Sequence, residues 1–515
     1  MRFIHNFLRK IESTPIGLMA GTATFLAIIF IRNQLELLLE QDHNITISLS
    51  TATVLADYIH VVMAWSYIYL MSVIILATVG RCSWVGANRV SLCGLMLIWV
   101  PPLLDGLFGH SGAIVYQYSF DSFFSSFTHL FLPWVDVNYV TLGVRVEIFL
   151  VMLATLLYVG MCSHSQLRWW RAGLCGFLIY CAIFTMGYLP AFISFLTGMS
   201  HSELLQQSVL GVTATNAPIL WYLPMILILG MWHLAETQTR LWCVLKSCVR
   251  IERMLIYVLF TLAGVMQGID NALLSGDWLN VYDILLLSLA LLSVAIAFIA
   301  MTALNDIHDI QIDVLSNPSR PLVADPSLID EYRCIAFVGS MIGIGVSFGY
   351  NISQPILLIS MLSLGCLYSV PPFRLRRYLF VAPIVLTAIV MVCYLFGMAM
   401  VWNNSTPEQL NLPELCSLAL LFFIACQFKD LKDVEGDRAN GVATLAVYLG
   451  AQRTYWVLGT LLLIELAVLV SVGFLSLSAP SIMAGCLFLL TWIVFKNNEW
   501  LISALVVCLG ILLLK

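Results

Sequence analysis

The sequence predicts an all-α polytopic membrane protein of about 15 transmembrane helices. Three observations carry that expectation. Of 515 residues, 61% are hydrophobic and only 10% charged, with a mean hydropathy of +0.94, whereas soluble chains hold about 45–50% apolar and about 25% charged residues. The apolar residues gather in runs near the length of about 20 that a helix needs to cross a bilayer. Basic residues fall in alternate loops between those runs, and nothing alternates as the strands of a membrane barrel do.

The first span, 16–35, follows Arg2, Arg9 and Lys10, and its apolar run from Ile16 to Ile31 is succeeded by Arg32-Asn33-Gln34. No small-residue cleavage site follows it, so it reads as a span. Runs at 59–79 and 90–108 come next, and Pro101-Pro102 before Asp105 implies a kinked helix end. Residues 109–144 are aromatic-rich (Tyr116, Tyr118, Phe120, Phe123, Phe124, Phe127, Phe131, Trp134) and carry His110, Asp121, His129 and Asp136. They read as an interfacial or re-entrant segment with rings at headgroup level, the alternative being a second site or lipid-binding lid. Spans at 145–161, 172–197 and 217–234 complete six. The polar loop 235–253 is the best boundary, dividing a six-span region of unknown role (1–249) from nine further spans (250–515). Those nine are 254–274, 284–304, 334–350, 355–370, 379–401, 414–428, 454–478, 480–495 and 500–514.

Charge tests the parse. With a cytoplasmic N-terminus, every Lys and Arg of the 24 except Arg32, Arg145 and Lys515 falls on the cytoplasmic side, as the positive-inside rule requires. The net charge of −5, with no basic tract, excludes nucleic-acid binding. Fourteen cysteines are scattered through apolar segments without CxxC or zinc spacing and read as small buried hydrophobes.

Two loops on the cytoplasmic side carry the acidic chemistry. Asn305-Asp306-Ile307-His308-Asp309-Ile310-Gln311-Ile312-Asp313 follows the eighth span, and Lys429-Asp430-Leu431-Lys432-Asp433-Val434-Glu435-Gly436-Asp437 follows the twelfth. Each places three aspartates at i, i+3 and i+7, one helical face. Each loop is therefore expected to extend its span by two turns and present a carboxylate stripe at the membrane surface. Like charges so close need a positive partner, and hard oxygen ligands suit Mg²⁺ bridging carboxylates to phosphate. Arg320, Arg374, Arg376 and Arg377 lie on the same side and could take the remaining phosphate oxygens.

Three segments in this order resemble the signatures of the UbiA-type intramembrane prenyltransferases: NDIHDIQIDVLSNPSRPL, YSVPPFRLRR and DLKDVEGDRANGVATLAVYLG. The nine C-terminal spans are similar to that family's nine-helix bundle. The resemblance covers the C-terminal half only. It implies that Asn305, Asp306, Asp309, Asp313, Asp430, Asp433 and Asp437 hold Mg²⁺ and an isoprenyl diphosphate. Of these, Asp306, Asp309, Asp430 and Asp433 would be catalytic, together with Tyr368 beside the reacting allylic carbon. Arg320, Lys429, Lys432 and one of Arg374, Arg376 and Arg377 would bind the diphosphate. The implied reaction is Mg²⁺-assisted ionisation to an allylic cation, captured by a lipophilic or aromatic acceptor drawn from the membrane. Glu465, mid-span, is expected either to orient that acceptor or to meet a polar partner such as Asn271. His308, between the aspartates, is expected to point off their face.

Two rivals remain at this level. A UbiA-like terpene cyclase would use the same metal site without an acceptor. A lipid-binding or transport scaffold would account for the six extra spans but would need a polar path across the membrane, and only isolated intramembrane charges are present.

Overall fold

The computed structural model describes residues 2–39, 51–108, 123–131, 141–162, 168–214, 216–272, 279–348, 353–401, 412–431, 434–439 and 441–471. Regular structure among them is helical throughout. The chain forms two compact units, Met1–Ser208 with Val212–Thr239, and Val209–Gly211 with Arg240–Lys515.

The first unit holds α1 (Arg2–Ser13), α2 (Leu18–Leu39), α3 (Thr51–Thr78), α4 (Trp84–Gly94), α5 (Val100–Phe108), α6 (Phe123–Phe131), α7 (Leu142–Cys162), α8 (Arg168–Thr197), α9 (His201–Gln206) and α10 (Ala217–Thr237). Helix α1 was not expected from the apolar runs. It docks through Glu12, which accepts from Tyr158 Oη at 2.8 Å, while Arg89 donates to the Glu12 carbonyl. The expected break near Pro101 is a 3₁₀ stretch, Leu95–Trp99, followed by α5. Asp105 caps the next span, accepting from Gly143 N at 2.9 Å. Within 109–144 only α6 and residues 141–144 are described. Phe123 and Phe127 of α6 pack edge-on against Phe184, and Phe123 also against Tyr188, both on α8, so these rings are core. His110, Asp121 and Asp136 lie outside the described residues.

The second unit holds α11 (Thr239–Cys248), α12 (Ile251–Ala272), α13 (Val281–Ser316), α14 (Pro321–Ala324), α15 (Ile329–Ser347), α16 (Ser353–Ser369), α17 (Val381–Met398), α18 (Leu412–Ala425), α19 (Val434–Ala439), α20 (Leu445–Leu449) and α21 (Ala451–Ser471). Helix α11 packs Val244 and Cys248 against Ala303, Leu322, Tyr332 and Ile335, which places it with this unit. Asn280 opens α13 with a reciprocal cap to Asp283.

Eight helices among the described residues are long and apolar enough to cross a membrane. The expected count of 15 is not reached within them. The runs 480–495 and 500–514 lie outside, and α16 is apolar but shorter. The molecule is nonetheless an all-helical polytopic membrane protein.

Helices α12 and α17 approach until their backbones touch. A Cβ on Gly264 would fall on the Tyr394 carbonyl, and one on Gly397 would fall on the Thr261 carbonyl. Small residues permit such contact between helices in lipid, where packing and not water exclusion drives association. Gly264→Leu is therefore expected to destabilise the unit by about 1–3 kcal/mol or more, read as a lower melting temperature in detergent. Gly345→Ala, where a Cβ meets open space, should melt as the parent does.

Candidate active site

Helix α13 runs without interruption from the apolar span through the first acidic segment. It thereby carries Asp306, Asp309 and Asp313 on one buried face, as the spacing predicts. Each is met by a guanidinium. Arg250, just before α12, donates from Nη2 to both oxygens of Asp306 at 2.6 and 2.7 Å. Arg320, at the start of α14, reaches Asp306 at 3.2 Å and also bonds Asp313. Arg376 bonds Asp309, to which Asn305 Nδ2 donates at 2.7 Å. Ser369 Oγ in turn donates to Asn305 Oδ1 at 3.1 Å. Arg374 adopts a left-handed backbone, φ +38°, uncommon for a side chain with a Cβ. Its Nη2 donates to the His308 carbonyl at 2.9 Å and stands 3.5 Å from Asp309 Oδ1.

The second acidic segment departs from the expected helix. Helix α18 ends at Ala425, Cys426–Leu431 winds as a tighter 3₁₀ turn, and α19 starts afresh at Val434. The register of i, i+3 and i+7 is therefore lost across it. Asp430 and Asp437 nevertheless face the same cavity as α13, while Lys432 and Asp433 lie outside the described residues. Lys429 Nζ donates to Tyr368 Oη at 2.7 Å and sits 5.1 Å from that ring's centre. Burial works against the Lys429 charge. Tyr368 and Asp430 beside it outweigh burial and raise its pKa above the ordinary lysine range.

Most of these groups line one cavity of about 210 Å³, whereas Asp306, held by Arg250 and Arg320, is not on its lining. Its polar end carries Asn305, Asp309, Asp313, Arg320, Arg376, Lys429, Asp430 and Asp437. Its other end is apolar, with Phe298, Leu386, Ile389, Phe422 and Leu462. Among Arg374, Arg376 and Arg377, only Arg376 lines it. The Arg377 carbonyl instead accepts from Ala443 N at 3.0 Å. His308 is not on the lining, in keeping with its expected direction. Glu465 is buried on the same face of α21 as Leu462, one turn farther on. Its Oε1 has no hydrogen-bond partner among the described residues, and the side chain of Asn271 is not among those described.

Sequence reasoning missed Arg250, Arg253 and Tyr257, all on the lining. Their signal was faint: two arginines in what read as a boundary loop, and one tyrosine in an apolar run. Among the described residues no three His, Cys, Asp or Glu side chains converge as a metal cluster. Arginines intervene between the carboxylates of α13 instead. The donor set still suits a hard divalent cation. It consists of the buried carboxylates of Asp309, Asp313 and Asp437 with the half-buried Asn305 and Asp430, and Asp309 Oδ1 accepts no hydrogen bond among the described residues.

Fold and cavity together define a polytopic helical membrane protein with a charged head above an apolar pocket. Residues 257–504 match the model of the UbiA prenyltransferase family, so the C-terminal half carries a UbiA-family region. Homogentisate solanesyltransferase of Arabidopsis thaliana is 29% identical over 260 residues, 46% of this chain and 66% of that protein. Digeranylgeranylglyceryl phosphate synthase of Sulfurisphaera tokodaii is 28% identical over 183 residues, 35% of this chain and 64% of that one. The chain thus spans less than two thirds of either relative. A UbiA homolog from Archaeoglobus fulgidus, solved bound to DMAPP and Mg²⁺, aligns at 17% identity with a TM-score of 0.40 over 52% of this chain and 97% of that one.

Proposed function

We propose that the chain is a prenyltransferase that ionises an isoprenyl diphosphate and passes the allylic group to a lipophilic acceptor. One observation carries this reading: a single cavity is lined by carboxylates and cations at one end and by hydrocarbon at the other. That is the polarity of the donor itself.

Arg320, Arg376 and Lys429 bind the diphosphate oxygens. Each guanidinium exchanges a carboxylate for phosphate, which its fork fits equally well. The carboxylates so released, with Asn305, Asp430 and Asp437, would hold Mg²⁺. Bound there, the ion would neutralise charge on the leaving diphosphate. As the C–O bond breaks, its electron pair leaves with the diphosphate. Tyr368, held by Lys429, presents its ring to the allylic cation that remains. The apolar wall excludes water, which would otherwise capture that cation. The acceptor attacks the cation and loses a proton. The names of the relatives suggest an aromatic or a phosphate-bearing acceptor. The catalytic machinery lies in the second unit, with the charged end at the cytoplasmic face, as the distribution of Lys and Arg supports.

Diphosphate release by the purified full chain tests this, with prenyl diphosphates, Mg²⁺ and a membrane lipid extract as acceptor pool. Release that requires both metal and extract, and stops with EDTA, is the expected result. Cyclic hydrocarbon formed without extract would instead make the enzyme a cyclase. Absence of release from every donor would overturn the reading.

A further inference from the structure

We infer that Phe298, Ile389, Phe422 and Leu462 form a floor that limits the donor's tail, and that Met301 against Gly365 forms the neck above it. This rests on the prenyl-diphosphate reading of the same cavity and names the donor class: short tails, of geranyl to farnesyl size.

On each of four helices around the cavity the lining ends, away from the charged groups, in one large apolar side chain. Helix α13 contributes Phe298, Met301, Thr302, Asn305 and Asp309, ordered from the apolar end to the charged end. Phe298 lies seven residues from Asn305 and eleven from Asp309, about 10 and 16 Å at the rise of a helix, or about two to three isoprene units. Ile389 is the lining residue farthest from the charged end on α17, Phe422 on α18 and Leu462 on α21. All four are nearly fully buried, at 6%, 2%, 6% and 1% exposure in chain order. Closely packed side chains of this size leave a longer tail no room without displacing one of them.

The neck is a close approach. Gly365 lies one turn before Tyr368 on α16, and a Cβ there would stand 2.8 Å from Met301 Cγ and nearer still to its Sδ. Both residues line the cavity. A methyl group at 365 must therefore push the flexible Met301 side chain, and the cavity is the open space beside it. Bulk added at 365 shortens the pocket from above, and bulk removed at the floor lengthens it from below.

The test uses the full-length protein and non-hydrolysable dimethylallyl, geranyl, farnesyl and geranylgeranyl thiodiphosphates with Mg²⁺, read as thermal stabilisation and as inhibition of turnover. The parent should respond most to the geranyl and farnesyl compounds. Phe298→Ala and, separately, Leu462→Ala should improve the geranylgeranyl compound relative to geranyl by about tenfold. Gly365→Ala should shift preference toward dimethylallyl. Because the floor is tested at two separate positions, one poorly folding variant leaves the other to decide. An unchanged length profile in a folded floor variant would overturn the ruler while leaving the site intact. A parent profile peaking at geranylgeranyl would do the same. No response to any length would refute the diphosphate site itself, and the ruler with it.

Discussion

Asp309→Asn should lower the rate of diphosphate release by about 10²–10³-fold, the scale seen when one preorganised electrostatic group is removed from a site. Asp309 is where the head converges. Arg376 and Asn305 share one of its oxygens, and the other accepts no hydrogen bond among the described residues. Asparagine keeps the shape and removes the charge. Arg376 then has no carboxylate to trade for phosphate, and the hard-oxygen set loses a negative charge. The side chain of Arg376 keeps some solvent contact at 14% exposure, so the cost should fall on rate more than on folding. Single-turnover release, beside size-exclusion profiles of parent and variant, separates the two. Parent-like release from Asp309→Asn would remove this residue from the machinery.

Lys429→Met should cost about 10²-fold in the same assay, with Lys429→Arg recovering part of it. The ammonium both faces the diphosphate end and holds Tyr368 through a 2.7 Å bond. Its loss removes a cation and frees the Tyr368 ring, which the proposed reaction sets against the allylic cation. A pH profile adds a second readout. Since Tyr368 and Asp430 raise the Lys429 pKa despite burial, the charge persists through the range in which a free lysine titrates, near about pH 10.4. Release should therefore show no alkaline loss below about pH 10 assignable to this group. A fall centred well below that would contradict the geometry around Lys429.

The first acidic segment was readable because the apolar period of the eighth span passes into the aspartates without a Gly or Pro. One helix thus carries both span and carboxylates. The second segment has the same spacing, but its fold is set by tertiary packing. Gln427, Phe428 and Leu431 are buried within a 3₁₀ turn, and no local signal in Gln427-Phe428-Lys429-Asp430-Leu431 announces that turn. Arg250 was invisible for a related reason. Sequence marks it as a basic residue beside a span, but the bond from its Nη2 to both oxygens of Asp306 joins residues 56 apart. Spans could be read from composition, whereas the partners of each charge depended on which helices became neighbours. Glu465 shows the limit from the other side. Its burial was expected from its mid-span position, but its place one turn beyond Leu462, the last α21 residue on the cavity lining, depends on how α21 packs.

The glycine contact between α12 and α17 has a mechanical consequence. Where two helices are separated by side chains, rotamer changes let them slide. Where carbonyl meets Cα directly, no such layer exists, and the pair behaves as one stiff beam. That beam carries Arg250 and Tyr257 at one edge of the cavity and Leu386 and Ile389 at the other. Any widening needed to admit a donor or discharge a product is then expected from the other helices that line the cavity, α13, α16, α18 and α21. Of the cavity's walls, that beam is the one expected to hold still.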